Sequence, residues 1–136
     1  MSYALCVGRF YEDLADELVA GARAVLGDAD VDVFDVPGAF ELPLAAKYAA
    51  ESGRYAGVVC LGAVIRGETS HYDHVCNEAA RGIQEVSLST GVPCSFGVLT
   101  VESHEQARAR LGPERHQGRD AAEAVLAMAA LRERLA

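Results

Sequence analysis

No apolar run in this 136-residue sequence approaches the ~20 residues that a membrane span requires. Positive charge is scarce: 12 Lys and Arg stand against 20 Asp and Glu, for a formal net charge of −8. That balance argues against a nucleic-acid backbone or an anionic membrane as the main partner. A phosphorylated small molecule remains compatible, because a local site can be positive on an acidic chain. The opening segment MSYALCVGRFYEDLADEL has neither a basic n-region nor a cleavage site, so no signal peptide is expected. No two of Cys6, Cys60, Cys76 and Cys94 form a CxxC pair. Three of them lie in apolar runs, and they read as reduced core thiols of a cytoplasmic protein rather than as a metal site. Repeats, linkers and low-complexity segments are also missing, so residues 1–136 should form one domain.

What is present is core-forming: hydrophobic residues make up 51%, too many for disorder. Tyr3–Val7 reads as a short strand. Over Glu12–Leu26, Leu14, Leu18, Ala22, Val25 and Leu26 recur on one helical face. Val31–Val36 is a second strand, ended by Pro37-Gly38. Pro43 suits the first turn of a helix with the stripe Leu42, Ala45, Ala46 and Ala49, and Gly53 suits its end. Gly57–Ile65 is apolar almost throughout, the pattern of a strand covered on both faces. A helix over His71–Ser89 should turn Val75, Ala79, Ile83 and Val86 inward. A strand over Pro93–Thr100, a short helix over Ser103–Arg110 and a last helix over Asp120–Leu135 complete the chain. Such alternation predicts a flavodoxin-like α/β sandwich of three layers, with a four-stranded parallel sheet of order 2-1-3-4. Ligands of such sheets bind beyond the C-terminal strand ends, where the candidate residues are expected.

The most informative stretch is Gly62–Val75, GAVIRGETSHYDHV. An apolar run ends in a glycine-containing turn, a Thr-Ser pair follows, and His71 opens a helix. Ser70 with Asp73 fits an S-x-x-D capping box, which an ordinary capped helix would also show. Read functionally, backbone N–H groups around Glu68 and Thr69, with the Thr69 hydroxyl, can hold a phosphate. The Glu68 carboxylate would repel that anion, so only its backbone can contribute. His71 is either structural or a proton-transfer group, since a neutral imidazole can take up and return a proton. His74 is three residues on, but His-x-x-His without a third ligand is weak support for a metal.

Elsewhere the residues leave alternatives open. Val36-Pro37-Gly38-Ala39-Phe40-Glu41 is a strand-to-helix turn whose backbone groups and Glu41 carboxylate can bind polyol hydroxyls. Phe10, after Arg9, is a core aromatic or a stacking surface for a planar heterocycle, and Phe96 carries the same ambiguity. Arg108 and Arg110 form a solvated face or clamp a phosphate.

Together, GRF at 8–10, VPGAFELP at 36–43, GAVIRGETSHYDHVCNEAARGI at 62–83, FGVLTVESHEQA at 96–107 and Arg110 resemble the lumazine synthase family of riboflavin biosynthesis. The resemblance runs from about Leu5 to Leu131. It implies condensation of 5-amino-6-(D-ribitylamino)uracil with 3,4-dihydroxy-2-butanone 4-phosphate, releasing phosphate and water, with no metal or organic cofactor. By position it makes His71 the proton-transfer residue and gives the phosphate to Glu68, Thr69 and Arg110. It puts Phe10 on the pyrimidine and gives the ribityl chain and ring edges to Ala39, Phe40, Glu41, Ala63, Val64 and Ile65. It also implies sites between the subunits of a homopentamer, with Phe96 and Arg110 arriving from the neighbour.

The sequence departs from that pattern in two places. Many members carry Asn-Lys-Gly before the last helix, whose lysine approaches the substrate; here the segment is His116-Gln117-Gly118. Arg115 and Arg119 are the nearby cations. The chain also begins almost at the first strand, which favours a pentamer, or a pair of pentamers, over a closed shell. Two other readings compete. One is a non-catalytic paralogue that binds a lumazine or flavin, motivated by Gln117. The other is an FMN module, which lacks support because no glycine-rich or Ser/Thr-rich loop follows the first strand.

Overall fold

A computed structural model describes residues 1–136. Strands β1 (Ser2–Gly8), β2 (Asp30–Val36), β3 (Gly57–Ile65) and β4 (Cys94–Val101) form one parallel sheet of order β2-β1-β3-β4, as the alternation predicts. The connections are helices α1 (Glu12–Leu26), α2 (Leu42–Glu51) and α3 (His71–Thr90); α4 (His104–Ala109) and α5 (Gln117–Leu135) follow β4.

Because side chains alternate across a strand, each strand feeds two cores. On one face, Leu5, Val7, Val59, Leu61, Leu99 and Val101 meet Leu14 and Leu18 of α1 and Ala122 and Val125 of α5. On the other, Ala4, Cys6, Val58, Cys60, Val64 and Val98 meet Leu42 and Ala46 of α2 and Ala79 and Ile83 of α3. The first eight residues of β3 are buried, which is why that run carries no polar alternation. Each fully buried Leu, Ile or Val contributes roughly 1.5–3 kcal/mol. The inward quartet expected of α3, Val75, Ala79, Ile83 and Val86, is buried as a set. Cys6 and Cys60 are buried, Cys76 and Cys94 partly so, and all four are free thiols. Burial pushes the Cys6 thiol up to about 12, so it is not a nucleophile at neutral pH.

Three local expectations are corrected. First, Ser70 and Asp73 do not form a capping box. Ser70 has helical dihedrals (φ −71°, ψ −1°) and its side chain caps nothing, whereas an N-cap needs extended backbone. The Thr69 hydroxyl accepts from the His71 N–H at 3.3 Å instead. Second, α5 starts at Gln117, three residues before the expected Asp120. Its cap is the His116 imidazole, whose Nδ1 accepts from the N–H groups of Gly118 (3.2 Å) and Arg119 (3.3 Å). Histidine is not among the usual capping residues, and Gly118 weakens the helical pattern, so the start was hidden. Third, β4 runs Cys94–Val101, so Phe96 lies near its beginning and not at its C-terminal end.

As the last strand in the order, β4 has an open edge, and side chains occupy part of it. The Ser87 hydroxyl accepts from the Cys94 N–H (2.8 Å) and donates to the Cys94 carbonyl (3.1 Å). Gln117 Nε2 donates to the Phe96 carbonyl at 3.3 Å.

Candidate active site

The C-terminal ends of β1 and β3, the turn after β2 and the start of α3 enclose a cleft of about 440 Å³. Its existence depends on a close backbone approach. A Cβ on Gly8 would lie 3.0 Å from the carbonyl carbon of Gly38, so glycine at the end of β1 lets the Gly38 turn sit down on the strand. Ala39–Glu41 then forms a single 3₁₀ turn, closed by the Glu41 N–H donating to the Gly38 carbonyl at 3.2 Å. The turn lines one wall, and Ala63, Val64 and Ile65 line the floor.

Phe10 stands on the rim with 74% of its surface exposed, and Phe40 is 57% exposed. Large apolar rings left open beside a cleft offer flat faces on which a planar ring can stack. Phe10 is steadied by Tyr11, at 4.9 Å between centroids and edge-on at 77°. Arg9, directly before it, is committed to structure. It binds Asp35 at 2.8 Å and Asp16 at 2.5 Å, tying the start of α1 to the end of β2. Those bonds push its pKa up and keep it cationic.

Thr69 and His71 also line the cleft. His71 is the first residue of α3 and is exposed. Its imidazole bonds to no other protein group, which leaves both ring nitrogens open to a ligand. Glu68 is exposed in the same loop and does not line the cleft, so its carboxylate stays out of the space. His74 lies one turn along, and no third ligating side chain joins the two histidines.

The expected residues divide into two groups. Phe10, Ala39, Phe40, Glu41, Ala63, Val64, Ile65, Thr69 and His71 share the cleft. Glu68, Phe96 and Arg110 do not line it. Phe96 is half-buried on the edge strand, on the α3 side of the sheet. Arg110 ends α4, with NH1 donating to the Gln106 carbonyl at 3.3 Å, and it lines a separate hollow of about 340 Å³ with Arg115, His116 and Gln117. Arg119 is held by the Pro113 carbonyl at 2.7 Å.

Sequence reasoning passed over Tyr72, which lines the cleft beside His71. Burial, with Cys76 against it, pushes the Tyr72 phenol above its ordinary value and keeps it neutral. The Arg66 guanidinium carbon lies 4.3 Å from the Tyr72 ring centroid. The signal available was an aromatic next to the candidate histidine, at a helix start.

The model of the family described as 6,7-dimethyl-8-ribityllumazine synthase matches residues 1–133. The chain belongs to the lumazine synthase family. That places it with the proteins of riboflavin biosynthesis, in a transferase-type family that forms oligomers. The match includes the four-stranded sheet, the cleft, Phe96 and Arg110 alike. No helix of this lumazine synthase family member is long and apolar enough to cross a membrane.

Proposed function

We propose that the chain condenses 5-amino-6-(D-ribitylamino)uracil with 3,4-dihydroxy-2-butanone 4-phosphate to give 6,7-dimethyl-8-ribityllumazine, phosphate and water. The supporting observation is that an open Phe10 ring, a His71 imidazole with no side-chain partner and Thr69 line one cleft. The pyrimidine stacks on Phe10, and its ribityl chain runs along Ala39, Phe40 and Glu41. The backbone of Ala63–Ile65 reads the ring edge. Thr69 and the Glu68 backbone take the phosphate. The amine attacks the ketone, and loss of water leaves an imine. Phosphate leaves by elimination across the hydroxyl-bearing carbon, and the resulting enol tautomerises to a ketone; the ribitylamino nitrogen closes on that new carbonyl with loss of a second water. His71 accepts and returns the protons of these steps.

Holding two small molecules in register is most of this task, and good orientation can supply roughly 7–11 kcal/mol of the barrier. Fixed donors aimed at the departing phosphate stabilise the charge that develops on it. Phe96 and Arg110 enter from a neighbouring copy in a homopentamer, Arg110 completing the phosphate site. Their position outside their own chain's cleft is what supports a split site. Mixing the two substrates with purified protein and following lumazine absorbance tests the reading. Binding of both substrates without product would overturn it in favour of a non-catalytic lumazine- or flavin-binding role.

A further inference from the structure

The loop that carries Thr69 and delivers His71 has almost no support of its own. Gly67, Glu68, Thr69 and Ser70 are all exposed. A Cβ on Gly67 would meet nothing within 4 Å. The single side-chain bond inside the loop is the Thr69–His71 contact at 3.3 Å. Yet a proton-transfer group must be held in place.

Arg66 holds both ends of this loop. Its backbone N–H donates to the Val101 carbonyl at 2.9 Å, which anchors the exit from β3 to β4. Its side chain reaches past the loop. Nε donates to Glu102 at 2.6 Å, just beyond β4, and NH2 donates to Asp73 at 3.4 Å, in the first turn of α3. The guanidinium plane also covers Tyr72, which lines the cleft next to His71. Three elements and one wall of the cleft thus meet on one side chain. Only a planar cation with several donors can do this; a lysine has neither the fork nor the flat face.

We propose that Arg66 is a positioning residue of the cleft, fixing the first turn of α3, and with it His71, against the ends of β3 and β4. The proposal rests on the condensation reading for its kinetic consequence. Its structural content is independent of that reading. The Arg66 side chain is 41% exposed, with Asp73 and Glu102 more so. Ion pairs this open contribute little to stability. The effect of the clamp is therefore felt in where His71 sits and hardly at all in whether the chain folds.

The test compares Arg66→Met, Arg66→Lys and Glu102→Gln with the unaltered protein, by steady-state kinetics and by NMR of the His71 ring. For Arg66→Met, kcat should fall about tenfold to a hundredfold, the scale of a small misplacement. KM for the aminouracil should stay within about twofold, because Phe10, the Ala39–Glu41 turn and the β3 floor are untouched. Arg66→Lys and Glu102→Gln should lie between. The His71 ring signal should be single in the unaltered protein and broadened or doubled in Arg66→Met. Unchanged kcat together with an unchanged His71 signal would overturn the proposal. So would a loss of kcat that merely tracks a fall in melting temperature. Should the unaltered protein form no lumazine, the function proposed above falls, while the His71 spectra still decide for or against the clamp.

Discussion

The ring of His116 occupies the space that a Cβ on Gly21 would need. This is a tight point between α1 and α5, and it recurs two residues on, where a Cβ on Gly118 would collide with the Leu18 carbonyl oxygen. Two glycines let the helices close up, and the imidazole that fills one gap also caps α5.

Gly21→Ala should therefore destabilise the fold, although alanine is the better helix former by about 1 kcal/mol. Displacing His116 strains the core and disturbs the cap, at a cost of about 1–3 kcal/mol for overpacking. A net loss near 1–2 kcal/mol is expected in urea unfolding. A raised midpoint would refute this account of the contact.

The same cap makes stability depend on pH. Burial, reinforced by the Arg119 charge, lowers the His116 pKa below its ordinary 6.5. A lowered imidazole value means that the unfolded chain takes the proton first as pH falls. Its contribution is complete above about 6.5 and is lost as pH drops from there through the folded value. Melting temperatures from pH 8 to pH 5 should fall less steeply for His116→Asn, which can cap but does not titrate. Parallel curves for the two proteins would rule out His116 as a source of the slope.

His71→Ala should lower kcat about 10²- to 10⁴-fold, the usual worth of a positioned acid–base group. The melting temperature should not move, because the imidazole is exposed at the helix start and bonded to nothing. Activity within a factor of about three of the unaltered protein would remove His71 from proton transfer.

Arg110→Ala should raise KM for the butanone phosphate, by about 2 kcal/mol of lost charge-assisted bonding, and leave the aminouracil unaffected. A sharper test uses these two impaired proteins, assayed at butanone phosphate well below the KM of Arg110→Ala. His71→Ala damages the cleft and Arg110→Ala damages the other half, so chains of the two kinds co-assembled should regain activity at about a quarter of their interfaces. No recovery on mixing, with mixed oligomers verified by native mass, would put each site within one chain.

Much of the fold was readable because its signals repeat. The α1 stripe recurs over four turns, the β3 run has no polar break, and the α3 quartet keeps its spacing from Val75 to Val86. The cleft was readable for a different reason: its walls are three short segments that each end a strand or begin a helix. What escaped were single side chains with unusual partners. The Ser70–Asp73 box looked sound, but Asp73 answers to Arg66, which lies just past the end of β3. The α5 start was hidden because an imidazole does the work of a serine. Tyr72 and Arg66 matter through their placement over one another, which spacing along a chain does not encode.

Gln117, between His116 and Gly118, spends its side-chain amide on the Phe96 carbonyl. With Ser87 it covers outward backbone groups of Cys94 and Phe96 on β4. An uncovered strand edge invites another strand, and with it sheet-to-sheet fusion and aggregation. Along this part of β4 the Cys94 N–H and the Cys94 and Phe96 carbonyls, which would help recruit such a strand, are already bonded. Anything that approaches this stretch meets the side chains of Ser87 and Gln117 ahead of those backbone groups, so the sheet is closed off here by the chain's own residues.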